Sequence, residues 1–245
     1  DDLRNLPTWP RFLAQSTAGI FTAILLITTN TVGNPTGSRF FDAVLTILWI
    51  VGTCNSINFF DNIDGGASGT VAISSAFLFL IAFNSNQFLI SALSIVVCGS
   101  TLGFLLWNKS PARIYMGDAG ALFLGALVAS LAVRLKPTSD LGNLSILIPI
   151  FLIAVPMLDT TVAVFSRISR GLSPFTGGKD HLSHRLIREG LTKRIAVSLL
   201  WILTFVFGVI SLSINSNILN STFLAILGGI FWIGLFVYFF TRSHE

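Results

Sequence analysis

Residues 55–66 read NSINFFDNIDGG, with Asn55 and Asn58 three apart and Asp61 and Asp64 three apart. Residues three apart share a helix face, so Asn55, Asn58 and Asp61 are expected to look into one cleft. Amide and carboxylate oxygens are hard donors, of which a magnesium ion takes one or two beside water and phosphate oxygens. Apolar runs lead in from Ala43 to Thr53 and out from Ala67 to Phe83. An acid in lipid costs about 2.5–3.5 kcal/mol on insertion scales, so acids at the end of such a run call for a reason. The plain alternative is a polar turn between two spans. Gly65, Gly66 and Gly69 either let a ligand reach the backbone or let helices close up.

Further chemistry-bearing residues follow. Asp118 lies between Gly117 and Gly120 in IYMGDAGALFLG, residues 114–125. Backbone N–H groups at a helix start favour anions, and the carboxylate suits a cation that bridges to phosphate; a simple N-cap is the alternative. Asp159 follows Pro156 inside an apolar run and either faces a cleft or pairs with Arg167. Asp1 and Asp2 precede a basic segment. They suit Mg²⁺ or phosphate handling, or form a solvated loop end. The stretch 166–194 holds seven of the fifteen Lys and Arg, with His181 and His184 three apart and Arg185 and Arg188 beside them. Such a loop fits a diphosphate or an anionic lipid surface. Zinc at His-x-x-His lacks a third nearby His or Cys.

These residues need elements that can hold them in a membrane. The 245 residues are 53% hydrophobic and 11% charged, with mean hydropathy +0.80; soluble domains carry about 25% charge. Eight apolar stretches of spanning length are expected at 12–29, 43–60, 67–83, 88–107, 119–135, 143–165, 194–214 and 221–240. The expected fold is an all-α polytopic transmembrane helix bundle forming a single domain over 1–245, with 166–194 as a basic loop within it. With eight spans, twelve of the fifteen basic residues fall on the side shared by both chain ends, leaving Arg39, Arg134 and Lys136 opposite. That first side is expected to be cytoplasmic. Nine of the eleven acids gather at the same end, with only Asp42 and Asp140 opposite. Cys54 and Cys98 sit in apolar runs and are expected to pack rather than to pair or bind metal. The chain opens on Asp1 without Met and is expected to have lost its beginning.

Five motifs, in order, then carry a resemblance: DDLRNLP at 1–7, NSINFFDNIDGG at 55–66, YMGDAGALFLG at 115–125, PMLDT at 156–160 and KDHLSHRL at 179–186. The chain resembles the polyprenyl-phosphate N-acetylhexosaminyl-1-phosphate transferases, which begin envelope and glycan lipid carriers. The resemblance implies about three further spans before the aspartate pair, hence about eleven in a full-length protein. It implies Asn58 and Asp118 as ligands of Mg²⁺, with Mn²⁺ admitted, and Asn55, Asp61, Asp64 and Asp159 on the substrate. Asp1 and Asp2 would lie by the lipid phosphate, and His181, His184, Arg185 and Arg188 would meet the diphosphate and sugar. The implied partners are UDP-HexNAc, a polyprenyl phosphate such as undecaprenyl phosphate, and the plasma-membrane bilayer. A homodimer is admitted and no nucleic acid is implied. Ser183 stands where one branch, the phospho-MurNAc-pentapeptide enzymes, has consecutive histidines, which turns the expectation toward UDP-GlcNAc. A transporter of an anionic substrate is the alternative, but its ion site would belong near the bilayer midplane.

Overall fold

The computed structural model describes residues 8–29, 36–136, 142–174, 178–217 and 219–242. Asp1, Asp2, Asp140, His244 and Glu245 lie outside them. The described residues form ten α-helices and no strand: α1 (Thr8–Thr28), α2 (Arg39–Phe60), α3 (Gly66–Asn84), α4 (Phe88–Asn108), α5 (Gly117–Val133), α6 (Leu147–Leu152), α7 (Ala154–Ser169), α8 (Leu182–Arg188), α9 (Lys193–Asn215) and α10 (Ser221–Thr241). A 3₁₀ turn, Gly142–Ile146, leads into α6. α3 packs on α4 and α9, and α2 packs on α1, α5 and α7.

The eight expected spans fall on these helices, with a difference in length. α2, α3, α4, α9 and α10 are long and apolar enough to cross a bilayer. Leu144–Leu152 and Ala154–Ser169, bent by 78° at the break between them, reach spanning length and hydropathy only together, as a broken span or a re-entrant loop, so the candidate spans among the described residues number five, or up to six. The apolar stretches Ser16–Thr28 and Gly117–Val133 are shorter; α5, at 17 residues, reaches about 25 Å against a hydrocarbon core of about 30 Å. The outer surface is apolar, with Phe40, Leu48, Phe88, Val96, Phe123 and Ile233 all exposed, as lipid contact requires. Small polar residues instead lie inside: Ser68, Ser75, Ser94 and Ser211 are fully buried.

The break between α6 and α7 follows from Pro156. In a continuous helix its N–H would bond to the carbonyl of Leu152, and proline has none. The carbonyl is met from another helix, since Ser74 Oγ on α3 donates to it at 2.6 Å. Ser211 Oγ on α9 donates to Ile148 O at 3.1 Å, and Trp232 Nε1 on α10 donates to Ala154 O at 3.0 Å. The carbonyl freed by the break is thereby satisfied from a neighbouring helix, while α9 and α10 brace the segments on either side of it, the condition for irregular backbone at membrane depth.

Candidate active site

The motif 55–66 ends α2, turns, and starts α3. Gly65 adopts φ +77° as the N-cap of α3, a region an L side chain rarely enters. Trp201 Nε1 on α9 donates to Gly65 O at 3.1 Å, and a Cβ placed on Gly69 would lie 2.3 Å from the Trp201 ring. Gly69 therefore serves helix packing. Asn108, at the end of α4, accepts from Gly65 N at 3.2 Å and Ser68 Oγ at 2.7 Å, and donates to Ile114 O at 3.0 Å. One buried amide thus ties the turn to the segment that leads into Asp118. Asp64 adds a second tie, accepting from Ala112 N at 3.3 Å.

Gly117, at φ +65°, turns the chain into α5 and sets Asp118 in its first turn. Met116 is the N-cap and offers no side-chain cap bond, so Asp118 does not cap the helix. Its carboxylate instead accepts from Asn58 Nδ2 at 3.0 Å, across from α2. The positive end of the α5 dipole favours a carboxylate here. Asp61, just past α2, is pushed up to about 7 by burial and by the charge of Asp118. Two acids and an amide oxygen thus converge where one acid holds a proton near neutrality, an arrangement that welcomes a cation. Among the described residues no group of three or more His, Cys, Asp and Glu could hold a metal ion by themselves. The donor set fits a magnesium ion that takes one or two protein oxygens and completes its shell with water and phosphate. Asn55 differs from its neighbours in the motif: its Nδ2 donates to Val51 O of its own helix at 2.8 Å.

A second constellation lies beside this one. Asp159 is fully buried and accepts from Leu182 N, while His181 Nδ1 meets its other oxygen, both at 2.7 Å. Its partner is therefore His181 rather than Arg167. A carboxylate partner assigns the proton to Nδ1 and leaves Nε2 to accept from Arg167 Nη2, which lies 3.4 Å away. Arg167 also donates to Asp180 Oδ2 at 3.1 Å and to Pro174 O at 2.9 Å. Burial alone would raise the Asp180 carboxyl, but Arg167 and Arg170 hold it below the usual carboxylate range. His184, half-buried, is lowered chiefly by burial, with Lys179 and Arg188 pushing the same way and Asp159 opposing. The His181 and His184 rings are 6.4 Å apart, and the His181 ring stands edge-on to Phe59 at 6.3 Å. Phe59 follows Asn58, so the histidines share the acid cluster's end of the bundle.

Asn62 and Ser183 join the two constellations, and neither was singled out from sequence as a site residue. Asn62 Nδ2 donates to Phe59 O at 2.7 Å and reaches Asp159 Oδ2 at 3.5 Å. Its Oδ1 accepts a short bond from Ser183 Oγ. The signal available was Asn62 standing between Asp61 and Asp64 in an otherwise acid-bearing motif. Arg185 is only 3% exposed and donates to Asp180 O and Phe239 O, both at 2.7 Å. Its Nη2 is buried without a hydrogen-bond partner among the described residues. Arg185 and Arg188 line a small pocket with Glu189 and Arg242, by the end of α10.

Residues 1–136 match glycosyl transferase family 4. The chain is 38% identical over 195 residues to a probable undecaprenyl-phosphate N-acetylglucosaminyl 1-phosphate transferase of Bacillus subtilis, covering 80% of this chain and 51% of that protein. It is 32% identical over 238 residues to the decaprenyl-phosphate N-acetylglucosaminephosphotransferase of Mycobacterium leprae, covering 86% of this chain and 60% of that protein. It is 32% identical over 139 residues to the phospho-N-acetylmuramoyl-pentapeptide-transferase of Streptococcus mutans, covering 54% of this chain and 41% of that protein. The chain thus spans about half the length of the curated relatives it matches.

Proposed function

From the premise that this multi-pass membrane chain belongs to glycosyl transferase family 4, we propose that its protein transfers HexNAc-1-phosphate from a UDP-sugar, most simply UDP-GlcNAc, to a polyprenyl phosphate. The observation that carries this reading is the Asn58–Asp118 pairing across α2 and α5, with Asp61 close enough to feel the Asp118 charge. A phosphate oxygen of the lipid attacks the β-phosphorus of the donor. The bond from that phosphorus to the bridging oxygen breaks, UMP leaves, and a diphosphate joins lipid and sugar. The site faces the cytoplasm of a plasma membrane in this reading, as the distribution of basic residues favours.

The roles divide by position. The Asn58 carbonyl oxygen and Asp118 would hold Mg²⁺, which supplies charge neutralisation for the diphosphate. Asp61 faces the same cluster. Asp64 sets the 109–116 loop through Ala112 N and thereby the approach to Asp118. Asp159 orients His181 and fixes its tautomer, so it acts through the histidine. His184 faces the anionic substrate from α8 and Arg188 adds charge at the rim, while His181, its ring nitrogens engaged by Asp159 and Arg167, positions the start of α8. Asp1 and Asp2 position the lipid phosphate, which is already ionised near neutral pH and needs no strong base.

The test uses membranes carrying the whole protein, labelled UDP-GlcNAc, undecaprenyl phosphate and Mg²⁺. Labelled lipid and UMP are expected, both abolished by EDTA and by Asp118→Ala. Absence of a lipid product with every UDP-HexNAc offered overturns the reading. Uptake of the sugar nucleotide into sealed proteoliposomes without lipid product would point to transport instead.

A further inference from the structure

The α4–α5 loop forms a separate basic pocket of about 430 Å³ against the start of α9, with Trp107, Lys109, Arg113 and Arg194 in its walls. No acidic residue is among the residues lining it. Two of the three cations are held in place. Arg194 Nε donates to Ser110 O at 3.2 Å. The Arg113 guanidinium carbon lies 5.7 Å from the centre of the Trp107 ring, and Arg113 N donates to Trp107 O at 2.8 Å. Fixed cations lose less freedom when an anion binds.

The rim decides what kind of anion. Leu106 and Trp107, in the last turn of the spanning helix α4, are 65% and 51% exposed. Ile195, next to Arg194 in the first turn of α9, is exposed as well. Apolar groups at the ends of spans meet the edge of the hydrocarbon, and tryptophan favours the headgroup level. A soluble phosphate would gain nothing from these side chains. We infer that the pocket binds the phosphodiester headgroup of an anionic phospholipid, with its acyl chains lying along Leu106 and Trp107. The same loop reaches the acid cluster, because Ala112 N donates to Asp64 and Gly117 turns the loop into Asp118. A bound headgroup therefore also steadies the segment that presents Asp118.

Lipid retention tests this without turnover, so it stands apart from the transferase reading. The whole protein in detergent is titrated with phosphatidylglycerol or phosphatidylcholine, and bound lipid is counted by native mass spectrometry. A basic residue near an anionic lipid contributes about fivefold in affinity, so the Arg113→Gln/Arg194→Gln double variant is expected to bind phosphatidylglycerol about thirtyfold more weakly. The Arg113→Lys/Arg194→Lys double variant is expected to retain most of the binding. Lys193→Gln removes an exposed charge one residue from Arg194 but outside the pocket, and is expected to change little. Unchanged retention in the Gln double variant overturns the inference. So does an equal loss in Lys193→Gln, which would make the attraction diffuse, or loss in the Lys double variant, which would make it a folding effect. Displacement of the lipid by glycerophosphate at lipid-equivalent concentrations would also overturn it, in favour of a soluble phosphate.

Discussion

Asp159→Asn is nearly isosteric, yet it is expected to fail because of hydrogen-bond polarity. The native carboxylate accepts at both oxygens, from Leu182 N and from His181 Nδ1. An amide retains one acceptor. If its oxygen stays on Leu182 N, its NH₂ faces His181, which can accept only by moving its proton to Nε2. That proton then points at the Arg167 Nη2 donor 3.4 Å away. Either arrangement leaves one buried donor facing another. Losing a charge-assisted hydrogen bond costs about 1.5–3 kcal/mol and orphaning a buried donor about 1–3 kcal/mol. The expected loss is about 3–5 kcal/mol, in line with breaking a buried charged pair. Equilibrium unfolding in mixed micelles reads it, and a cycle with Arg167→Leu isolates the relay. Removing Arg167 removes the opposing donor, so the double variant should lose less than the sum of the singles, by about 1–3 kcal/mol. Asp159→Asn within about 1 kcal/mol of the parent, or strict additivity with Arg167→Leu, would refute the relay and the tautomer it assigns.

Three further outcomes are expected. Because Arg167 and Arg170 depress Asp180, its contribution is present above the unfolded carboxylate pKa and is lost as pH falls through the lower folded value; the difference in thermal midpoint between parent and Asp180→Asn should therefore close on acidification and stay open at neutral pH. Gly69→Ala puts a methyl group against the Trp201 ring and strains its bond to Gly65 O. A loss of about 1–3 kcal/mol is expected, read by unfolding, with relief in Trp201→Phe. Ser74→Ala leaves Leu152 O without its donor, a loss of about 1–3 kcal/mol that should shrink when Pro156→Ala supplies an N–H to the same carbonyl, as a double-mutant cycle would read.

Much of this arrangement is local in the chain and was legible there. Spanning helices follow from runs of apolar residues, and the break follows from Pro156. The asparagine and aspartates of residues 55–66 mark the end of α2, and Asp118 marks the start of α5. What could not be read is which carboxylate meets which partner, because that depends on how distant helices pack. Asp159 had Arg167 eight residues ahead, two turns along the same helix. The fold instead turns Arg167 toward Asp180 and Pro174 and brings His181 back from the next segment. Arg185 was expected at the substrate by its charge, yet its Nε and Nη1 go to the backbone carbonyls of Asp180 and Phe239. Bonds to carbonyls leave no sequence trace, since any residue supplies the acceptor, and Nη2 of the same guanidinium is left without a partner among the described residues.

Ser183 shows the same limit from the other side. In sequence it marked only the absence of a histidine, an argument about substrate branch. In the fold it is buried and donates to Asn62, the residue that also touches Asp159. A histidine there would have to fit an imidazole where a hydroxyl now sits 1% exposed. Buried sites tolerate added volume poorly, at about 1–3 kcal/mol for modest overpacking. The Asn62 side chain would have to turn, and with it the link between the acid cluster and α8. The choice of residue at 183 is therefore tied to how the two halves of the site are joined. Ser183→His should cost stability unless Asn62 is made smaller alongside it, and Asn62→Gly/Ser183→His is the pair that separates packing from substrate choice. Recovery of stability in that pair, with donor preference unchanged among competing UDP-sugars, would assign Ser183 to the scaffold. A changed donor preference would assign it to the substrate.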